Sequence, residues 1–388
     1  MKKITVKDLG EVITGHTPPT SKREYYGDYY PFLKPTDMII GSKYTYFTEE
    51  GYSELAYGKY KNSLIPKGAT CVVCIGTLGE KMCMAHCDLF TNQSVNSIIP
   101  NENFEEHYVY YLLKYNLHRV KALNKGTASG REFVSKTTFL NLEIDVHEDF
   151  QTQKKIGELL SNYDDLIENN QKQIRLLEES AQRLYKEWFV DLRFPGHEDV
   201  VIVDGVPEGW KKEKLVDIAD VQYGFAFDGS LFNSEGNGTP IIRIRNIPDG
   251  RTNDYTTQEA DEQYIVYNGD IVVGMDGEFH INSWSGSAAY LVQRTCKFSP
   301  KNELMRGWLL QAIYEPIKFF EKTVVGATVA HLGKKHIDTI ELLTGPDNLY
   351  VPFKNLFDKR QLLLNQNILL AEVRDRLLPK LMSGEIEV

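Results

Sequence analysis

The sequence predicts an α/β protein: two similar α/β domains separated by two long helices that form an antiparallel coiled coil. Three observations carry this expectation. An internal repeat runs through the chain in preserved order. A helix with a 3.5-residue apolar period lies in the middle. A related helix closes the chain.

The repeat comes first because it fixes the organisation. KDLGEVITG (7–15) resembles VDIADVQYG (216–224), and YPFLKPTDM (30–38) resembles TPIIRIRNI (239–247), both at an offset of 209. KGATCVVCIG (67–76) resembles NGDIVVGMDG (268–277) at an offset of 201. GTASGREFVSKTTFLNLEI (126–144) resembles GATVAHLGKKHIDTIELLT (326–344) at an offset of 200. Identity is faint, but the order holds and the offset shrinks smoothly. The expected boundaries are a first domain over 1–149, a helix over 150–194, a second domain over 205–346 and a second helix over 347–388.

In the central helix Ile156, Leu160, Tyr163, Ile167, Asn170, Ile174, Leu177, Ala181, Leu184 and Trp188 follow at alternating steps of four and three. That is the period of a coiled-coil seam. A helix over 152–190 would be about 58 Å long at ~1.5 Å per residue. FPGH, with Pro195 and Gly196, marks its end. At an offset of 193, Gln173, Glu179, Arg183 and Leu184 match Gln366, Glu372, Arg376 and Leu377. The terminal helix keeps the register at Phe353, Leu356, Leu363, Asn367, Leu370, Leu377 and Leu381, with Arg360 and Arg374 as interruptions. Asn170 and Asn367 stand on the seams, where a buried Asn fixes register at a cost in stability. Antiparallel pairing of the two helices is the simplest arrangement. Packing of each helix on its own domain and homodimerisation are the alternatives.

Within each half, CVVCIG, DIVVGM, PIIRIRNI and SAAYLVQ read as strands, and 107–123 and 304–320 read as amphipathic helices. With 388 residues, 42% hydrophobic and 25% charged, the chain is long enough for two cores. The N-terminus MKKITVKDLGEVITG has no apolar signal-like run, and no stretch reaches the ~20 apolar residues that span a bilayer. A cytoplasmic protein with no membrane partner is the expectation.

Four of five cysteines crowd into Cys71, Cys74, Cys83 and Cys87, which invites a zinc reading. Cys71 and Cys74 lie three apart in a buried-strand pattern, so they face opposite ways. Reduced, buried thiols are the better expectation, with no metal site. GTLGEK (76–81) has two residues between its glycines where a phosphate loop has four. No Gly-rich methyltransferase loop, Asn/Asp-Pro-Pro-aromatic loop, G-x-S-x-G or H-E-x-x-H occurs. GDIVVGMDGEFH (269–280) gathers Asp270, Asp276 and Glu278, carboxylates that a metal-dependent nuclease needs together with a lysine. Phe279 and His280 stand where the lysine is required, so a solvated strand end is expected. No catalytic residue is assigned.

The net charge of −10 argues against a nucleic-acid binder taken alone, but a local basic groove can coexist with acidic helices. Two different heads on a spacer suit a target with two unlike subsites at a fixed gap. For DNA that is an asymmetric, bipartite sequence. A two-headed coiled-coil scaffold for other proteins fits the repeat equally well, and a stand-alone nuclease or methyltransferase lacks its loops.

Over essentially its whole length the chain resembles the specificity subunits of type I restriction-modification systems. The resemblance rests on FQTQKKIGELLSNYDDLIENNQKQIRLLEESAQRLYKEWFVDLRF (150–194), VPEGWKKEKLVDIADVQYG (206–224), GTASGREFVSKTTFLNLEI and LLPKLMSGEI (377–386). The family's proline-rich run before the central helix is replaced by EIDVHEDFQTQKK, a change confined to a linker. The resemblance implies two target recognition domains on double-stranded DNA, and helices that dock two DNA adenine methyltransferase subunits. It leaves open whether two ATP-dependent restriction and translocation subunits join. It implies no cofactor in this chain, with S-adenosylmethionine and ATP/Mg in the partner subunits.

Phosphate contacts want Lys, Arg and small polar loops, and base reading adds Asn, Gln, Ser and Thr. In the first domain the candidates are Lys34, Thr36, Thr91, Asn92, Gln93 and Ser94, and the loop NKGTASGRE with Lys125, Thr127, Ser129 and Arg131. In the second they are Arg243 and Arg245, expected on one strand face, with Asn246, and Thr328, His331, Lys334 and Lys335. Tyr25, Tyr26, Tyr29 and Tyr30 could stack on a base, with packing the stronger expectation.

Overall fold

The computed structural model describes residues 1–124, 132–323 and 330–388. They form two compact units: Met1–Ile167 with Leu370–Val388, and Glu168–Leu369.

The first unit holds β1 (Lys2–Thr5), β2 (Gly10–Thr14), β3 (Tyr26–Leu33), β4 (Glu50–Tyr52), α1 (Glu54–Tyr60), β5 (Thr70–Val73), β6 (Met82–Met84), β7 (Phe90–Thr91) and β8 (Val95–Pro100). Then follow α2 (Glu106–Tyr115), α3 (Leu117–Ala122), α4 (Lys136–Leu140), β9 (Glu143–Val146) and the start of α5 (Phe150–Tyr185). An antiparallel sheet runs β2-β8-β5-β6, and a second sheet runs β4-β3-β7 with β3 and β7 parallel. β1 and β9, at the two ends of the domain, pair with each other.

β5 shows why its run of apolar residues is continuous. Val72 and Cys74 enter the core beneath α2, while Cys71 and Val73 enter a separate core on the opposite face. A strand covered on both sides has no solvent face to mark with polar residues. Cys71 and Cys74 therefore do point apart, and Cys71 lies opposite Cys83 in the β5–β6 register. The tyrosines of 25–30 mostly pack. Tyr25 is buried, Tyr26 donates its hydroxyl to the Pro18 carbonyl at 2.8 Å, and Tyr30 stacks edge-on against exposed Tyr29.

The second unit repeats this plan after a short hairpin of β10 (Ile202–Val203) and β11 (Val206–Pro207). It contains β12 (Lys211–Lys214), α6 (Leu215–Ile218), β13 (Ala219–Tyr223), β14 (Phe232–Asn233), β15 (Thr239–Ile242), β16 (Tyr255–Thr256), β17 (Ile265–Val266), β18 (Ile271–Gly274), β19 (Ile281–Ser283), β20 (Ala289–Leu291) and β21 (Thr295–Pro300). α7 (Arg306–Ala312), α8 (Tyr314–Thr323), α9 (Lys334–Ile337), β22 (Glu341–Thr344) and α10 (Val351–Met382) complete the chain. The sheets run β13-β21-β18-β19 and β14-β16-β15-β20-β17, with β15 and β20 parallel, and β12 pairs with β22. The helices expected over 107–123 and 304–320 are each broken in two, at Asn116 and at Ile313. Asn116 accounts for the first break: its side-chain amide takes the Leu112 carbonyl at 2.8 Å, an alternative to helix bonding.

α5 and α10 pair antiparallel in both units. In the first, His147 meets the Leu381 carbonyl at 2.9 Å and Asp164 binds Arg374. In the second, Asn170 donates to Asn367 at 2.9 Å, Arg360 binds Glu178 at 2.6 Å and Trp188 packs edge-on against Phe353. The partner number falls as the first number rises. Arg360 and Arg374 do not interrupt the terminal seam. Both are buried members of it, each neutralised by an acid from α5. The central helix stops earlier than FPGH: Lys186–Val190 forms a single π turn, and Leu192 turns the chain with φ 57°.

Candidate nucleic-acid interface

In each domain one end of the sheets gathers the loops that carry most candidate residues. The cause is the parallel pairing of two strands. β3 and β7 pair as Phe32 with Phe90 and Leu33 with Thr91, so the loops beginning at Lys34 and at Asn92 leave the same end. The Asn92 amide donates to the Leu33 carbonyl at 3.4 Å. The turn after β2 joins them, since the His16 amide donates to the Thr91 carbonyl at 2.8 Å. The loop after β5 joins too: the Cys74 amide reaches the Ser94 carbonyl at 2.8 Å, and the Val134 amide reaches the Cys74 carbonyl at 2.9 Å.

The second domain repeats these bonds one for one. Ile241 pairs with Tyr290 and Ile242 with Leu291. Val292 donates to the Ile242 carbonyl, Phe225 to Leu291, Met275 to Arg294 and Leu332 to Met275. Gly15 and Gly224 are both required by the close crossing. A Cβ on Gly15 would sit 2.2 Å from the Thr91 carbonyl oxygen, and one on Gly224 would sit 2.1 Å from that of Val292. No substituent fits there without moving the loop, which explains why KDLGEVITG and VDIADVQYG both end in glycine.

The side chains on this shared platform differ. In the first domain Lys34 is held between the carboxylates of Glu49 and Glu50, at 3.0 Å each. Burial opposes its charge, but the two carboxylates outweigh that and keep its pKa above the ordinary lysine value. A lysine so neutralised is a weak phosphate ligand. Thr36 is exposed. Gln93 is exposed and accepts from the Thr17 hydroxyl at 2.5 Å, while Asn92 accepts from the Ser94 amide at 3.0 Å and shapes the turn. Thr91 is fully buried and belongs to the interior. Lys125, Thr127, Ser129 and Arg131 lie outside the described residues, as does Thr328.

In the second domain β15 ends at Ile242, and Ile244–Asn246 form a 3₁₀ turn, so Arg243 and Arg245 do not share a strand face. Asn246 caps that turn by accepting from the Arg243 amide at 2.8 Å, and Arg243 lies over the Phe232 ring. Arg245 is bidentate to Asp254, at 2.5 and 3.2 Å. Burial pushes the Asp254 carboxyl up, but its bonds to Arg245 and Asn246 win and hold it below the usual carboxylate range. Lys334 and Lys335 are exposed on α9. His331 is exposed and bonds Asp276 through Nδ1 at 2.5 Å.

Of the acidic residues flanking β18, Glu278 is exposed, but Asp270 before the strand and Asp276 after it are not solvated. Asp276 is mostly buried and receives Arg294 at 2.5 Å as well as His331. Asp270 is mostly buried between Arg306 and Lys297, at 3.3 and 3.6 Å. Among the described residues no group of three or more His, Cys, Asp or Glu is placed to hold a metal ion.

Sequence reasoning picked 91–94 in the first domain and overlooked its counterpart 291–294 in the second. The signal was present: at the offset of 200, Ser94 falls on Arg294 and Gln93 on Gln293.

One loop platform, built twice and dressed with different polar side chains, defines a two-domain recognition protein. Comparison with known proteins gives the particular class. A family model described as the type I restriction modification DNA specificity domain matches residues 1–179 and 207–346. The type I restriction enzyme MjaIX specificity subunit of Methanocaldococcus jannaschii is 29% identical over 410 residues, covering 99% of this chain and 93% of that protein. The EcoBI specificity subunit of Escherichia coli is 31% identical over 137 residues, 35% of this chain and 29% of that one. In fold the chain is similar to the crystal structure of a type I restriction-modification S subunit from M. genitalium, with a TM-score of 0.59 and 17% identity over 98% of this chain and 95% of that one. The chain belongs to this family and is a DNA sequence-specificity subunit of a type I restriction-modification system. Among the described residues no helix is long and apolar enough to cross a membrane.

Proposed function

We propose that each domain reads one half of an asymmetric, split sequence in double-stranded DNA through the loop end just described. The observation that carries this reading is the difference between the two platforms. The bridge of Ile75 to Phe133 in the first becomes Asp276 to His331 in the second, and Ser94 becomes Arg294. A shared set of strand-end hydrogen bonds with unlike side chains is what two unlike half-sites require, because phosphate contacts position a protein and base contacts specify sequence.

In the same proposal the paired stretches of α5 and α10 set the gap between the half-sites and dock two DNA adenine methyltransferase subunits. Two restriction and translocation subunits can join that core. The chemistry belongs to those partners: methyl transfer from S-adenosylmethionine, and cleavage driven by ATP with Mg. This chain contributes no catalytic group, and it works in the cytoplasm. The chain is expressed with its methyltransferase subunit in a host free of adenine methylation, and methylated adenines are mapped by long-read sequencing. A split motif with a fixed gap is expected. Methylation at a continuous motif, or none from a soluble complex, would defeat the reading.

A further inference from the structure

We propose that Arg294 is a specificity-determining residue of the second domain, reading a guanine in that domain's half-site while Asp276 positions its guanidinium. The assignment rests on the DNA-reading role proposed above and goes further, to one residue and one base.

Four observations converge on it. Arg294 lies in a cleft at the loop end, lined also by Tyr223, Asp276, Gln293 and His331. Its backbone has φ 70°, the left-handed region that a residue with a Cβ adopts at a cost. The turn would be easier with glycine, so the side chain is kept there against the backbone's preference. Such strain gathers at functional positions. Third, the guanidinium is pinned at one nitrogen only. Nη1 binds Asp276 at 2.5 Å, and Asp276 also takes His331, so the carboxylate is anchored from two sides. Nε and Nη2 make no hydrogen bond among the described residues, and the side chain is 65% exposed. A planar fork held at one corner and open along its other edge matches O6 and N7 of guanine in the major groove.

Fourth, other arginines of this domain's loop end are spent differently. Arg245 gives both Nε and Nη2 to Asp254, and Arg243 covers Phe232. In the first domain the position of Arg294 holds Ser94, and Ile75 stands where the second has Asp276. The guanine contact is therefore a property of the second half-site alone.

The test uses the whole chain with its methyltransferase subunit, with adenine methylation mapped as above. In Arg294→Gly the side chain goes and the strained turn is relieved. The expected result is a motif in which one G·C pair of one half becomes degenerate, with discrimination there falling on the order of ten- to a hundredfold. The other half and the gap stay fixed, and the melting temperature does not fall. Asp276→Ala should loosen the same base pair, and Asp276→Asn, which keeps an acceptor, should restore part of the discrimination. An Arg294→Gly motif identical to wild type at every position would overturn the assignment. Should Arg294→Gly fail to fold, Arg294→Lys decides, since it keeps the charge and loses the fork: an unchanged motif overturns, a degenerate pair supports. A wild-type complex that yields no split motif would instead overturn the reading itself, and this assignment with it.

Discussion

Asp164–Arg374 in the first unit and Glu178–Arg360 in the second are the same kind of contact, a carboxylate of α5 against a guanidinium of α10. Their surroundings differ. Asp164 and Arg374 are 6% and 7% exposed, and the remaining oxygen of Asp164 takes the Tyr111 hydroxyl at 2.5 Å. Glu178 is 40% exposed, and Arg360 divides its bonds among Glu178, the Ser283 hydroxyl at 2.6 Å and the Asn282 side chain at 2.9 Å. In the first unit the Asp164 carboxylate depends on Arg374 to be tolerable in the interior, while Arg374 also reaches Asp375 at 2.8 Å. In the second the guanidinium is the hub, and the carboxylate is one of several acceptors, backed by water.

The largest expected effect follows from that dependence. Arg374→Ala leaves the Asp164 carboxylate buried without its counter-charge and should cost about 3–5 kcal/mol. Asp164→Ala should cost less, because Arg374 keeps the Asp375 carboxylate at 2.8 Å. The double variant Asp164→Leu with Arg374→Met removes both charges and should return close to wild type. Urea midpoints of the four proteins test this, and a double variant as unstable as either single one would defeat the account. In the second unit the partners should separate: Glu178→Ala costs under about 1 kcal/mol, as for exposed pairs. Arg360→Met removes a charged donor from buried Ser283, which still donates to Gln361, and from half-buried Asn282, which still accepts from the Ser283 amide, and should cost about 1–3 kcal/mol. Equal costs for Glu178→Ala and Arg360→Met would erase the distinction between the two contacts.

A smaller effect is expected at the Asn170–Asn367 bond of 2.9 Å. Replacing both with Leu removes donor and acceptor together, which should be neutral or slightly stabilising. What is lost is the penalty on shifted registers. The methylation motif should then broaden from one gap length to a mixture. A single sharp gap would show that Asp164–Arg374 and Glu178–Arg360 hold the register unaided.

The seam itself was legible in the sequence because a 3.5-residue period survives without tertiary context. Its arginines were not: Arg360 and Arg374 read as interruptions because their acids stand about 180 and 210 positions away. The buried strands were legible for the same local reason, in that DIVVGM and CVVCIG have no polar face. The interface was legible only in part. The repeat located the loops, yet the state of each side chain depends on residues that a pattern cannot pair. Lys34 is consumed by Glu49 and Glu50, Arg245 by Asp254, and Asp276 by Arg294 and His331. Residue type sets each side chain's chemistry, and folding decides which of them stay unpaired and exposed.

The buried setting of the first unit should also appear in its response to acid. His107, on α2, has its Nδ1 buried without a partner, and burial, helped by Lys43, pulls its pKa from about 6.5 down to about 4. The native state thus refuses a proton that the unfolded chain accepts. Unfolding takes up that proton, so stability present above pH 6.5 is lost progressively as the pH falls toward 4. Glu105 beside it, its carboxyl raised above the ordinary 4.5 by burial, takes up its proton earlier in the native state and so offsets part of that loss within the same acid range. Gly307 stands at the position of His107 in the second unit, 200 residues on, so this residue's contribution has no counterpart there. His107→Gln should therefore flatten the fall in urea midpoint between pH 6.5 and 4 for the first unit, and leave the second unit's profile unchanged. An acid limb as steep in the variant as in the wild type would place the proton uptake elsewhere and remove this part of the contrast between the two units.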